Sequence, residues 1–227
     1  MRLSIIIPTL NEAANVSRVV RHAWALNPHE LIISDGGSQD GTIELAHNHD
    51  CKVIQSTPGR AIQQNMGANL ASGDVLLFLH ADCWPSPDCS KQISTALSNS
   101  HILAGAFHQR IAAEGSFFRL LEFGNDTRVR WFGRAYGDQG IFLRRELFHR
   151  LGGFPNVQLL EDVLLMDRIR RHTHPVLLPG PIHVSARRWQ RHGIIRQTLR
   201  NWCLLSAHSV GVSPNYLAQF YQQHDQS

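Results

Sequence analysis

The feature that most constrains this chain is an alternation in its first eighty residues. Short apolar runs at 3–8, 30–34, 52–55 and 75–79 are separated by polar, helix-patterned stretches. Residues 11–25 carry Val16, Val19, Val20 and Ala23 at helical spacing. A second helix is expected to follow the loop at 35–42 and run to about residue 48, and a third at 60–71 stops at Ser72-Gly73. Apolar runs of this length, bounded by turn residues, suit strands buried on both faces. The βαβαβαβ order therefore predicts an α/β fold with a mostly parallel sheet and helices on both sides. In such sheets ligands bind beyond the carboxyl ends of the strands. Three polar segments fall at that edge: 9–12, 35–42 and 80–82.

Beyond residue 100 the pattern is less regular. Strands are expected at 102–110, 140–143, 176–178 and 182–184, the last two on either side of Pro179-Gly180-Pro181. Residues 116–131 mix aromatics with arginine. An amphipathic helix at 159–171 opens on Glu161 and Asp162, and further helices are expected at 192–210 and 214–222. No repeat, low-complexity tract or linker interrupts the chain, so the second half is expected to complete the sheet and cover its cleft.

Composition excludes several classes. No apolar stretch approaches the ~20 residues that span a bilayer. The N-terminus meets Pro8, Asn11 and Glu12 too early for a signal peptide. A cytoplasmic location is expected. The four cysteines form no CxxC pair and are expected to be free thiols. Among the 14 histidines no HExxH or close pair marks a metal site. Net charge is −3 over residues 1–100 and +7 over 101–227, and 20 of the 22 basic residues are arginine. Arginine is the better bidentate partner for phosphate. A basic second half fits a phosphorylated substrate, nucleic acid, an anionic membrane surface or a plain solvated face.

Four segments carry chemistry. Asp35 directly follows a strand, and Gly36, Gly37 and Gly41 let the backbone approach a ligand, so this carboxylate can accept from a base N–H or a ribose hydroxyl. The same residues also suit a turn with Asp40 or Thr42 capping the next helix. Asp82 stands just past a buried strand, where a hard oxygen ligand suits Mg²⁺ or Mn²⁺, and His80 at i−2 points to the same side of an extended chain. Glu161 and Asp162 complement a helix N-terminus, and either can serve as a general base once buried beside the other. Arg187, Arg188 and Trp189 suit a diphosphate clamp with an indole wall, or a basic surface turn.

Together these segments resemble the glycosyltransferases of family 2. IIIPTLNE at 5–12 resembles the family's opening strand and nucleotide loop, and SDGGSQDGT at 34–42 its DDGSxDGT loop. GRAIQQNMGANLASGDVLLFLHAD at 59–82 resembles the segment leading into the metal-binding DxD. GDQGIFLRRELFHRLGGFP at 137–155 and LEDVLLMDRIRR at 160–171 resemble the stretch that ends in the ED motif. A narrower likeness is to small bacterial non-processive members with GRAxQxN and LHAD motifs. The resemblance implies a GT-A (Rossmann-like) fold, one domain over 1–227, with a nucleotide-binding half at 1–110 and an acceptor half with C-terminal helices at 111–227. It implies an inverting, metal-dependent transfer of one sugar from a nucleotide diphosphate sugar, UDP-linked by expectation. Pro8, Thr9, Asn11, Glu12, Asp35, Gly37 and Arg60 would hold the nucleotide. Asp82 and His80 would hold Mg²⁺ or Mn²⁺, with Asp162 as base beside Glu161. Asp138, Arg187, Arg188 and Trp189 would face diphosphate or acceptor. His80 replaces the first aspartate of DxD, and only Ser185-x-x-Arg188-Trp189 remains of the processive QxxRW signature, so single-sugar transfer is expected. A nucleotidyltransferase or a non-catalytic nucleotide or polyprenyl-phosphate binding protein are the rival readings. No nucleic-acid partner is expected. The acceptor is open, a lipid-linked hydroxyl included. A stripe of Ile194, Ile195, Leu199, Trp202, Leu205 and Val210 fits a peripheral membrane contact at the inner face, core packing or a homodimer contact.

Overall fold

The computed structural model describes residues 1–225, with the side chains of Arg188, Arg191, His192 and residues 221–225 outside the described set. Four strands, β1 (Leu3–Thr9), β2 (Glu30–Asp35), β3 (Lys52–Gln55) and β4 (Val75–Phe78), alternate with helices α1 (Ala13–Trp24), α2 (Thr42–His47) and α3 (Arg60–Leu70). Then follow β5 (Cys83–Pro85), α4 (Cys89–Leu97), β6 (Ala104–Ile111), α5 (Ser116–Phe132), β7 (Ile141–Arg144), α6 (Arg145–Arg150), α7 (Glu161–Ile169) and β8 (Val176–Val184). Three helices close the chain: α8 (Arg187–His192), α9 (Ile194–Ser209) and α10 (Pro214–Asp225).

All eight strands form one sheet in the order β3-β2-β1-β4-β7-β6-β8-β5. The first four are parallel, as the alternation predicts. β7 then runs antiparallel to both β4 and β6, β8 is parallel to β6, and β5 is antiparallel to β8. The sheet is therefore mixed: β3, β2, β1 and β4 form a continuous parallel half, and beyond β4 only the β6–β8 pair is parallel.

The strand pleat explains the two cores. Leu3, Ile5 and Ile7 of β1 face one side, against Val16, Val19 and Val20 of α1 and Ile93 of α4. Ile6 faces the other, with Ala61 and Ala68 of α3 and Leu165, Met166 and Ile169 of α7. β4 splits the same way, Val75 and Leu77 against Leu76 and Phe78. Each buried Ile or Leu contributes about 1.5–3 kcal/mol relative to exposure.

Several expectations are corrected. The mixed stretch at 116–131 is a long helix whose buried face is only Phe118, Glu122 and Val129, which is why its apolar period is weak. The two short strands around Pro179-Gly180-Pro181 are one strand, β8, pairing with β6 across a register shift between Phe107 and Gln109. The helix expected at 192–210 breaks at Gly193, whose φ of 80° a leucine or arginine would resist. Strand β5 and helices α4 and α6 have no counterpart in the sequence reading. The four cysteines are free thiols, and burial pushes Cys89 up to about 12.

Glu30 locks the start of β2 to its neighbours. Its carboxylate accepts from Ser4 Oγ at 2.6 Å, the Ser72 backbone N–H at 2.6 Å and Lys52 Nζ at 2.6 Å. Burial alone would raise its pKa, but the hydrogen bonds from Lys52, Ser4 and Ser72 outweigh that and hold it at about 2. Its stabilising effect is thus full above the usual 4.5 and fades as pH falls through about 2. Glu30→Gln is expected to cost about 2 kcal/mol at pH 7 in urea denaturation. The gap between variant and wild type should narrow as pH drops from 4.5 toward 2. A gap that does not change with pH would show that the ionised carboxylate is not what matters.

Candidate active site

Two adjoining cavities open at the carboxyl edge of β1, β2 and β4. The larger, about 410 Å³, is lined by Pro8, Thr9, Leu10 and Glu12 after β1, by Pro58, Gly59, Arg60 and Gln63 at the start of α3, and by His80, Ala81 and Asp82. The smaller, about 130 Å³, is lined by Arg60, His80, the turn Tyr136-Gly137-Asp138, residues 159–163 and Asn201, Leu204 and Leu205 of α9. Arg60, His80 and Leu159 belong to both.

At the larger cavity, Asp35 ends β2 as expected, but its carboxylate is occupied within the protein. It accepts from Thr9 Oγ1 at 2.8 Å, from the N–H groups of Gly37 and Ser38 at 2.8 and 2.7 Å, and from Ser38 Oγ at 2.6 Å. Asp35 is fully buried and lines neither cavity, so it shapes the loop from within rather than presenting a free oxygen. Asn11 is likewise structural: its Oδ1 accepts from the Gln39 N–H at 3.0 Å, and its own N–H donates to Ser38. Pro8, Thr9 and Glu12 do line the cavity. Asp40 accepts from the Ala13 N–H at 3.0 Å, joining α1 to the loop, while the N-cap position of α2 is Gly41, without a side-chain cap.

Two polar side chains that the sequence reading left unassigned hold this edge in place. Gln63 Nε2 donates to the carbonyls of Thr9 at 2.6 Å and Ser34 at 2.9 Å, clamping the ends of β1 and β2. Asn65 pairs with the Phe154 backbone in both directions at 2.9 Å, tying α3 to the Gly-Gly-Phe-Pro loop. Their signal is the quoted GRAxQxN pattern: Gln and Asn two apart on a helix reach different neighbours.

His80 and Asp82 do not lie on an extended chain. β4 ends at Phe78 and the backbone turns, with the Cys83 N–H donating to His80 O at 3.0 Å. The turn still brings ligand atoms of His80, Asp82 and Cys83 within 4.8 Å of one another. Cys83 Sγ donates weakly to Asp82 Oδ1 at 3.5 Å.

α7 supplies the other carboxylates. It begins after Leu160, a non-glycine residue at φ 63°, a costly left-handed conformation that turns Glu161 and Asp162 into the site. Leu160 is held by packing beside Leu159, Leu204, Leu217 and Ala218, so the closing helices support the bend. Asp162 accepts from the Gly137 N–H at 2.7 Å and from the Val163 N–H at 2.7 Å. A Cβ on Gly137 would strike the His80 ring and press toward Asp162, so glycine alone lets these three meet. Glu161 is buried, with Arg60 Nε 3.4 Å from its Oε1. Burial raises its pKa, Arg60 opposes that, and Asp162 adds to it. Asp138 is held by Gln109 Nε2 at 2.6 Å, which Asn125 and Arg128 of α5 brace in turn. Burial raises its pKa against the pull of Arg128. Arg128 also stacks 3.4 Å over the Tyr136 ring.

Among the described side chains of the basic turn, Arg187 and Trp189 face away from the two cavities. Arg187 starts α8 and approaches Glu12 at 3.9 Å, and it lines neither cavity. Trp189 packs edge-on to Phe118, 6.2 Å between ring centroids, among Ile111 and Ala186 rather than walling the cleft. The Arg188 side chain lies outside the described residues. The wall that sequence reasoning missed is α9, whose Asn201, Leu204 and Leu205 face the smaller cavity.

Comparison with known proteins places the chain. The family model described as Glycosyl transferase family 2 matches residues 4–154. Glycosyltransferase AglE of Haloferax volcanii is 33% identical over 68% of this chain, which spans 56% of that protein's length. The PGL/p-HBAD biosynthesis glycosyltransferase Rv2957 of Mycobacterium tuberculosis is 29% identical over 86% of this chain and 79% of its own. Glucosyl-3-phosphoglycerate synthase from Mycobacterium tuberculosis, solved with Mn²⁺, UDP and glucosyl-3-phosphoglycerate, superposes with a TM-score of 0.60 at 21% identity. That alignment covers 81% of this chain and 70% of the synthase and shows the likeness of fold.

A carboxyl whose pKa is raised by burial costs stability once ionised. Glu161→Gln is therefore expected to raise the melting temperature at pH 7 by about 2–4 °C, roughly 1 kcal/mol for a chain of this size. The gain should vanish below pH 4.5, where the wild-type carboxyl is protonated folded and unfolded alike. A loss of stability at pH 7 would mean that the Arg60 ion pair outweighs burial.

Proposed function

This chain belongs to glycosyl transferase family 2 and has its GT-A fold, and on that premise we propose that it transfers one sugar from a nucleotide diphosphate sugar, a UDP-sugar in this reading, to an acceptor hydroxyl. The observation that carries the proposal is the junction of the two cavities at His80 and Arg60, with Asp82 on one side and Asp162 on the other. A donor in the larger cavity and an acceptor in the smaller would meet there.

Pro8, Thr9 and Glu12 would flank the nucleoside, and Asp35 acts through the loop by fixing Thr9, Gly37 and Ser38. Arg60 would face the diphosphate with positive charge. The donor set at the β4 turn fits a divalent cation: His80 and Asp82 offer an imidazole nitrogen and a carboxylate oxygen, a combination suited to Mn²⁺, with Mg²⁺ the harder alternative. Cys83 is a soft ligand and suits neither ion. A bound cation there would neutralise charge on the departing nucleotide diphosphate.

Asp162 is the base in this scheme. Each of its oxygens already accepts one backbone N–H, which fixes the carboxylate and leaves lone pairs for the acceptor hydroxyl. As the acceptor oxygen forms its bond to the anomeric carbon, Asp162 takes the hydroxyl proton. The bond from that carbon to the diphosphate oxygen breaks on the opposite face, so configuration inverts. Glu161 stands behind Asp162 and positions Arg60.

Thermal melting with UDP and Mn²⁺ tests the donor site. A ligand at a hundred times its Kd should add about 2.7 kcal/mol. That shift should require the metal and disappear in Asp82→Ala. Stabilisation by no nucleotide would remove the donor reading. Asp162→Asn should lower kcat by about 10²–10⁴-fold with the nucleotide shift intact. Wild-type turnover in that variant, or a product of retained configuration by NMR of the anomeric proton, would overturn the assignment of the base.

A further inference from the structure

Helix α9 has two faces. Asn201, Leu204 and Leu205 line the smaller cavity. The opposite stripe, Ile195, Leu199 and Trp202, is 51–67% exposed. At about 100° per residue these three lie within one stripe some 60° wide. Helix α5 carries a second stripe, Leu120, Phe123 and Trp131, 63–77% exposed. The two helices meet at one small core. Phe118 and Leu121 of α5 pack with Ile194 at the start of α9, and the turn after α5 lines the same cavity as the middle of α9. Side chains of this size are rarely left together in water on a surface without a partner.

We infer that the exposed stripes of α5 and α9 form a seat on an anionic lipid bilayer. Charge selects this occupant. Helix α9 carries Arg196 and Arg200 and no aspartate or glutamate. Arg130 and Arg196 lie exposed beside the two stripes. Of the acidic groups of α5, Glu122 is buried under Arg119 and Arg110, and Asp126 is turned to His108. A second copy of this chain meeting the same face would set arginine against arginine. An anionic headgroup layer complements it. Tryptophan and arginine beside an apolar stripe suit the headgroup boundary, where the ring is half-buried and the guanidinium stays wet. A hydroxyl carried on a lipid would then reach the smaller cavity past α9. That consequence, unlike the seat itself, rests on the transfer reaction proposed above.

Flotation of the full chain with vesicles tests the seat. The vesicles are phosphatidylcholine alone, or with about 30 mol % phosphatidylglycerol, in about 50 mM and about 500 mM NaCl. The wild type is expected on the anionic vesicles at low salt, with weaker binding at high salt. Leu120→Glu with Phe123→Glu, and separately Leu199→Glu with Trp202→Glu, should each lower vesicle-bound protein at least tenfold. Arg130→Gln with Arg196→Gln should abolish the preference for the anionic vesicles. All six positions lie outside both cavities, so an unchanged melting temperature and UDP–Mn²⁺ shift would show that the variants are folded. Failure of the wild type to float with anionic vesicles, or equal binding by the glutamate variants, would overturn the inference. So would a wild-type dimer in sedimentation velocity that the glutamate variants convert to monomer. Vesicle binding without any nucleotide shift would leave the seat standing and remove the proposed function; the converse result would do the opposite.

Discussion

Burial of β1, β2 and β4 on both faces is the constraint from which the rest follows. Ile5 and Ile6, adjacent in β1, point into different cores, and neither core can face water. Helices must therefore cover both sides, which leaves the strand ends as the only part of these strands free for polar chemistry. The groups that gather there are held by their own framework. Asp35 is saturated by Thr9, Gly37 and Ser38, and Gln63 ties the ends of β1 and β2. Buried polar groups with every bond satisfied make a rigid edge, and a rigid edge can hold a ligand without first being ordered.

The carboxylates of α7 show the opposite balance. Glu161 is buried where its charge is disfavoured, behind a leucine in a left-handed conformation, with the Arg60 guanidinium at 3.4 Å to answer it. These are local losses of stability, and the packing of Leu159 and Leu160 against Leu204, Leu217 and Ala218 offsets them. The C-terminal helices thus join three tasks on one short segment. They brace the bend that presents Asp162, wall the smaller cavity with Leu204 and Leu205, and turn Leu199 and Trp202 outward. A change on either face of α9 can reach the site through Leu160.

Much of this was legible in the residues. The alternation of apolar runs with helical periods determined the parallel half of the sheet, because burial on both faces leaves a continuous apolar run. The loops at 9–12, 35–42 and 80–82 were placed at the strand ends by the same logic. What the sequence could not determine was how the second half joins. Gly105 and Gly140 lie tight against β8 and a register shift falls at Phe107 and Gln109, so β6, β7 and β8 extend the sheet in mixed directions without the regular strand–helix alternation that marks the parallel half. Tertiary structure alone decided that Asp35 would be enclosed, that Trp189 would pack on Phe118, and that Ile195, Leu199 and Trp202 would be left outside. A sequence states which side chains are apolar or charged. Which of them meet water depends on what stands opposite in space, and residues far apart in the chain supply that.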